Sequence, residues 1–189
     1  MNGFEAYFKM GWGHIIDLTA IDHLLFIAAL IIVYDHKDWK RILILLTAFT
    51  LGHALALIIA YTEVVDLKKS WVEFLIPLTI AVTTVYHMFS GNKGGKFIYI
   101  MTSIFGLIHG LAYSQEFMHV FRQGEGYLKA ALGFNTGVEA GQLVFAVCLL
   151  LLVEFFSRIK GLDRGKIRIF LFGVIITLSL QLLIQHWIF

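Results

Sequence analysis

The sequence predicts an all-α protein: a polytopic bundle of about six transmembrane helices that forms a single domain over residues 1–189. Hydrophobic residues make up 59% of the chain and charged residues only 15%, against about 25% in a typical soluble domain. All four tryptophans lie at or near the ends of long apolar segments, where the bilayer interface stabilises an indole ring. The small net charge of +2 argues against nucleic acid as a partner and leaves the lipid bilayer.

Six apolar segments are long enough to cross the bilayer as helices, which takes about 20 residues each. In chain order they are 12–33, 42–62, 71–89, 97–114, 131–156 and 167–188. The stretch QEFMHVFRQGEGYLKA between the fourth and fifth segments is too polar to cross, so we expect it to be a surface loop.

The basic residues predict the orientation of these spans. Connections after the first, third and fifth spans carry ten Lys and Arg, whereas the opposite side carries five. Because cytoplasmic loops are enriched in Lys and Arg, both termini are predicted to be extracytoplasmic. The chain is therefore predicted to be an integral, multi-pass protein of the cell (inner) membrane.

Ionisable side chains interrupt four of the apolar segments at similar depth, in the outer half of the bilayer. They are Asp22 and His23 in the first span, His53 in the second, His109 in the fourth and Glu139 in the fifth. An ionised carboxylate at the bilayer centre costs at least about 2.5 to 3.5 kcal/mol, so these acids must be protonated, paired or bound to a cation. Imidazoles and carboxylates together suit nickel, cobalt, zinc, iron or copper. The sequence thus predicts an intramembrane site for a divalent transition metal ion.

The fifth span carries its polar residues on one face. Asn135, Glu139 and Gln142 stand at i, i+4 and i+7, and we expect the two amides to support the ligands without binding the metal. Glycines spaced by four residues beside this face, and around His109, allow a neighbouring helix to approach closely. The remaining histidines are expected outside the cluster: His87 and His186 near span ends, and His36 and His119 in loops.

Four segments, in this order, resemble the hydrogenase/urease accessory HupE/UreJ membrane family. They are GWGHIIDLTAIDHLLFIAAL, LTAFTLGHALAL, FGLIHGLAY and GFNTGVEAGQL. Members of that family are polytopic nickel or cobalt permeases or metal-supply factors. The resemblance implies nickel or cobalt as the ion, and it adds one ligand, His14, to the set of Asp22, His23, His53, His109 and Glu139.

The position of His14 departs from the family pattern. Seven residues separate it from Asp22, where the commoner pattern has five. On a continuous helix this spacing turns His14 about 80° away from Asp22 and about 180° away from His23. Either the first span begins irregularly near Gly13, or His14 does not bind the ion directly.

Three functions are consistent with these residues. The first is a nickel or cobalt permease or metal-supply factor. The second is an intramembrane metal-dependent enzyme, hydrolase-like, acting on a lipid or lipoprotein with Glu139 or Asp22 as general base. The inner halves of the spans are almost wholly apolar, which favours the enzyme over a carrier that needs an exit. The third is haem ligation by His53 and His109, which leaves the carboxylates unexplained.

Overall fold

A computed structural model describes residues 3–17, 21–63, 68–91, 95–121 and 126–187. Over these residues the chain is all-helical and has no strand, which confirms the predicted fold class. Residues 18–20 of the first predicted span, 122–125 of the predicted surface loop and 188 of the sixth predicted span lie outside the described residues, as does Lys93, one of the basic residues counted for the orientation.

Seven α-helices and one short 3-10 helix make up the described part of the chain. They are α1 (Gly3–Ile16), α2 (Ile21–Ile31), the 3-10 helix (His36–Asp38), α3 (Trp39–Tyr61), α4 (Lys69–Ser90), α5 (Lys96–Val120), α6 (Tyr127–Ser157) and α7 (Arg164–Gln185). The five helices α3 to α7 are each long and apolar enough to cross a membrane, in agreement with the second to sixth predicted spans.

The first predicted span is not a continuous helix. It consists of α1 and α2, whose axes are inclined by 74° and which together are apolar enough to form one further crossing. A backbone N–H in the first turn of a helix has no partner within that helix, and in α2 the Asp22 carboxylate accepts the one from His23. The polar pair at 22 and 23 therefore supports the start of a helix inside an apolar region.

The loop before the fifth span is shorter than predicted. Helix α5 continues to Val120 and α6 begins at Tyr127, so His119 lies in the last turn of α5, although its side chain is exposed as expected. Helices continue past their apolar parts because each added residue still gains a backbone hydrogen bond.

Glycines bring two pairs of helices into backbone contact. A Cβ atom on Gly52 of α3 would lie 1.9 Å from the Ser103 carbonyl oxygen of α5, and one on Gly106 would lie 2.1 Å from that of Phe49. Helices α1 and α6 meet in the same way, since a Cβ on Gly137 would lie 2.1 Å from the Phe8 carbonyl oxygen. These contacts place His53, His109 and the polar face of α6 side by side.

An ion-pair network joins the helices at one end of the bundle, which we call the clamp end. Arg164 at the start of α7 binds both Asp35, at a distance of 2.7 Å, and Glu154 near the end of α6. Arg168 binds the same Asp35 at 3.1 Å and donates from Nε to the Ile32 carbonyl oxygen at 3.0 Å. The other end, where α4 begins and α5 ends, is the cavity end.

Candidate metal centre

Four imidazole rings meet in the interior of the bundle. The ring centres of His14 and His23 are 4.3 Å apart, those of His23 and His109 are 5.4 Å apart, and those of His14 and His53 are 6.0 Å apart. The rings come from α1, α2, α3 and α5. His53 and His109 are fully buried, and His23 is 6% exposed. We call these four residues the imidazole cluster.

A carboxylate fixes the ring of His23. Nδ1 of His23 lies 3.1 Å from Asp22 Oδ1. An ionised carboxylate only accepts hydrogen bonds, so Nδ1 carries the proton and Nε2 keeps its lone pair. This is the carboxylate–histidine arrangement that orients metal-binding imidazoles and raises their basicity.

An amide fixes the ring of His53. Asn135 donates from Nδ2 to the Ala131 carbonyl oxygen at 2.8 Å, which leaves its Oδ1 facing His53 Nδ1 at 3.1 Å. Since Oδ1 can only accept, Nδ1 of His53 is the protonated nitrogen. Asn135 therefore holds the ring of His53, and Nε2 of His53 keeps the lone pair; support of a metal ligand by Asn135 stays a prediction.

A threonine fixes the ring of His109 in the opposite tautomer. The Thr79 hydroxyl donates its single proton to the Ile76 carbonyl oxygen at 2.7 Å, and it lies 3.0 Å from His109 Nε2. It must therefore accept from Nε2, so the lone pair of His109 is on Nδ1. Thr79 could not be identified from the sequence, because a threonine in an apolar span is equally typical of helix packing.

Each imidazole of the cluster keeps one nitrogen without a partner. Among the described residues, no hydrogen bond reaches Nε2 of His14, His23 or His53, or Nδ1 of His109, and all four atoms are buried. A buried polar atom without a partner costs about 1 to 3 kcal/mol. In three of the four rings the hydrogen-bonded nitrogen is the protonated one, so the atoms left over are the lone pairs that bind metal ions.

The ring spacing can be compared with that of imidazoles bound to one ion. Two imidazoles bound to one ion at about 2.1 Å have ring centres roughly 4.5 to 5.5 Å apart. The distance of 5.4 Å between His23 and His109 falls within this range, whereas 4.3 Å between His14 and His23 and 6.0 Å between His14 and His53 fall outside it. No group of three or more His, Cys, Asp or Glu within the described ranges is arranged so that it could hold a metal ion. Coordination of an ion by the imidazole cluster therefore stays a prediction.

The predicted ligand Glu139 lies apart from the cavity beside this cluster. Its carboxylate accepts a hydrogen bond from the Thr47 hydroxyl of α3. Gln142, predicted to support the ligands, is fully buried and accepts from the Thr50 hydroxyl at 3.2 Å. Both residues continue the row of polar contacts between α3 and α6 that begins at His53 and Asn135. Coordination of the ion by Glu139 stays a prediction.

A cavity of about 570 Å³ leads from the cavity end of the bundle to the imidazole cluster. His14, His23 and His109 lie along it, together with four carboxylates and one further histidine. These are Asp17, Asp22, Glu73, Glu116 and His186. None of the described residues that line it is Lys or Arg. Its walls therefore favour a cation over an anion.

Three other histidines lie where the sequence places them. His36 is exposed, and His186 lies at the end of α7 with Nδ1 3.8 Å from Glu73. His87 lies near the end of α4, and its side chain is only 1% exposed. The rings of Tyr34 and Tyr86 pack against it, with centres at 5.8 and 5.5 Å. Nothing near His87 in the sequence indicates that Tyr34 covers it.

The all-helical bundle, with five helices long and apolar enough to cross a membrane, defines a multi-pass membrane protein, and four imidazoles are buried close together inside it. The chain belongs to the HupE/UreJ family: the family described as HupE / UreJ protein matches residues 1–189. Membership implies a nickel- or cobalt-related transport or accessory role in a membrane. No curated protein and no solved structure matches the chain.

Proposed function

We propose that this protein is a permease that takes up a divalent transition metal ion, nickel or cobalt, through the carboxylate-lined cavity and binds it at the imidazole cluster. One observation carries the proposal. Four helices each contribute a buried imidazole nitrogen without a hydrogen bond from any described residue, and three of the rings are held through their other nitrogen.

Capture of the ion begins at the mouth of the cavity. The carboxylates of Asp17, Glu73 and Glu116 create a negative potential there, which raises the local concentration of cations and their rate of entry. Lys69 offsets part of this field, since its exposed ammonium group lies 3.5 Å from the Glu73 carboxylate. The mouth of the cavity thus favours cations of any element. The choice among metal ions is made by the ligands deeper in the cavity.

Coordination follows at the deeper part of the cavity. His14, His23, His53 and His109 supply neutral nitrogen ligands, which suit nickel and cobalt as well as zinc and copper. The ion enters with two positive charges, and the carboxylate of Asp22 beside His23 compensates part of that charge. Asn135 and Thr79 hold His53 and His109 in the tautomers that present a lone pair. These three polar residues are positioning residues for the site.

The charge distribution supports one orientation of the cavity in the membrane. The clamp end contains the basic residues of α7 and of the connections that the positive-inside rule assigns to the cytoplasm. In that orientation the cavity end opens to the extracytoplasmic side, and uptake through it moves the ion inward. We propose this orientation together with the function.

An intramembrane metal-dependent enzyme is the second candidate. The observation in its favour is the cavity volume of about 570 Å³, which exceeds the space one ion needs and falls within the range of about 300 to 1,000 Å³ typical of sites for small molecules. Haem is not proposed, because the ring of Phe49 packs against both His53 and His109, at 6.3 and 5.3 Å.

Equilibrium binding of Ni²⁺ to the purified protein, together with Ni²⁺ flux into proteoliposomes, tests the proposal. We expect one tightly bound ion per chain, an affinity lower by at least about 100-fold in His23→Ala and His109→Ala, and no change in the control His36→Ala, whose side chain is exposed. Unchanged binding in both cluster variants would show that the site assignment is wrong. Tight binding without flux in the wild type would support the enzyme instead.

A further inference from the structure

We propose that His87 is a second ligand on the ion path, a station between the imidazole cluster and the clamp end, and that Tyr34 closes this station from the cytoplasm. The inference rests on the proposed uptake function, which requires an exit for the ion towards the cytoplasm. An ion that reaches the middle of the bilayer also needs a polar group on the way out.

His87 has the same features as the members of the imidazole cluster. Its side chain is 1% exposed. Nδ1 lies 3.1 Å from the Gly91 carbonyl oxygen, and because a carbonyl only accepts, Nδ1 carries the proton and Nε2 keeps the lone pair. No hydrogen bond to Nε2 comes from the part of the chain that the structure describes. A buried imidazole thus presents a free donor atom on the inner side of the bundle.

One face of α4 connects the two places. Thr79, Thr83 and His87 follow each other at four-residue spacing, so they lie on the same face and span about 12 Å along the axis. Thr79 contacts His109 of the cluster. Thr83 is fully buried, and its hydroxyl donates to the Thr79 carbonyl oxygen, which leaves its own oxygen lone pairs available. The row offers oxygen atoms between the imidazole cluster and His87.

Helix α5, which neighbours α4, adds a second buried polar group near the level of Thr83. Phe97 of α5 packs against Tyr86, and His109 binds Thr79, so α5 runs antiparallel to α4. Thr102 falls between these two contacts, near the level of Thr83. It is fully buried, and its hydroxyl has no hydrogen-bond partner within the described ranges. Two helices therefore place buried polar atoms between the cluster and His87.

Tyr34 covers His87 at the clamp end. The two rings meet edge to face with centres 5.8 Å apart, and Tyr34 is 3% exposed. The next residue, Asp35, is held by Arg164 at 2.7 Å and Arg168 at 3.1 Å. These ion pairs fix the segment that carries Tyr34 over His87. Release of Asp35 would uncover His87 to the cytoplasmic side while the clamp end opens.

Flux and binding measured on the same variants test the station. We expect His87→Ala to lower Ni²⁺ flux into proteoliposomes by at least about tenfold while the equilibrium affinity of the cluster stays within about twofold of the wild type. The matched control His119→Ala removes an exposed histidine and should leave both unchanged. Wild-type flux in His87→Ala would overturn the inference and leave the cluster proposal intact. An absence of Ni²⁺ binding in the wild type would overturn the cluster proposal itself.

A thiol at position 87 provides a readout that a purely structural role would not change. The variant is His87→Cys in a Cys148→Ser background, since Cys148 is an exposed free cysteine. We expect Ni²⁺ to slow alkylation of the introduced thiol by N-ethylmaleimide by at least about fivefold. We expect Tyr34→Ala, but not Tyr34→Phe, to accelerate alkylation in the absence of Ni²⁺. Alkylation that is independent of Ni²⁺, in protein that still binds Ni²⁺ at the cluster, would overturn the inference.

Discussion

The imidazole rings of His14 and His23 lie 4.3 Å apart, centre to centre, on two helices whose axes are inclined by 74°. Eight residues separate the two positions, and on a continuous α-helix they would point about 180° apart. The change of helix direction after Ile16 therefore brings both rings into one cluster. A feature that interrupts the first span is what makes its two histidines neighbours.

The contact between Asp22 and His23 gives the first prediction. Asp22→Asn preserves the size of the side chain but removes the charge that fixes His23 with its proton on Nδ1. We expect the affinity for Ni²⁺ to fall by about 10- to 100-fold, as for other residues that orient a metal ligand. Isothermal titration of the purified protein measures this change.

Glu116→Gln is the matched control for Asp22→Asn. Glu116 lines the same cavity but is exposed, and its removal changes the field without releasing a ring of the cluster. We expect at most about a threefold loss of equilibrium affinity from this surface charge. Equal losses in the two variants would show that Asp22 acts only through its charge and does not orient His23.

Much of the fold and part of the site could be predicted from the sequence. Helices α3 to α7 could be predicted because a membrane span needs a long apolar segment. His53 and His109 could be expected to share a site because buried polar groups in a bilayer need partners at their own depth. Depth alone does not give the direction in which a side chain points. Glu139 was predicted in the same site for its depth, whereas its carboxylate binds Thr47.

Three features of the site could not be predicted, for different physical reasons. The break between α1 and α2 lies in a segment whose apolar pattern would also suit a continuous helix, so the apolar pattern alone does not decide whether His14 reaches His23, which the family resemblance places in the same ligand set. Thr79 resembles any threonine that bonds to its own helix, and its second partner is 30 residues away. The burial of His87 depends on Tyr34, which follows α2 and approaches only in the folded bundle.

The carboxylates at the mouth of the cavity give the second prediction. In the double variant Glu73→Gln/Glu116→Gln we expect the association rate of Ni²⁺ to fall by about 5- to 10-fold at low ionic strength, because the negative potential that attracts the ion is reduced. The dissociation rate should change little, since neither residue contacts the imidazole cluster in the described structure. Stopped-flow measurements with a chelating indicator give both rates.

Salt distinguishes this electrostatic effect from a structural one. At about 0.5 M KCl the Debye length falls well below 10 Å, and the rates of variant and wild type should converge. Glu5→Gln is the control, since Glu5 is an exposed acid paired with Lys9 at 2.8 Å and lies outside the cavity lining. A rate difference that persists at high salt would contradict the proposed electrostatic attraction of the ion by the carboxylates at the mouth of the cavity.

The close approach of α3 and α5 gives the third prediction. In Gly106→Ala the new methyl group would lie 2.1 Å from the Phe49 carbonyl oxygen and 2.9 Å from its carbonyl carbon, both backbone atoms that cannot rotate away. The helices must separate, and overpacking of this kind costs about 1 to 3 kcal/mol. Thermal unfolding in detergent should show a Tm lower by roughly 3 to 10 °C.

Gly173→Ala is the matched control, because no atom of the described structure lies within 4 Å of a Cβ atom placed there. Alanine is the better helix former by up to about 1 kcal/mol, so this variant should unfold at the same temperature as the wild type or slightly above it. The two helices that Gly106 joins also carry His53 and His109, so Gly106→Ala should weaken Ni²⁺ binding as well, whereas Gly173→Ala should not. Equal stability of the two variants would show that α3 and α5 tolerate a wider spacing than their backbone contact indicates.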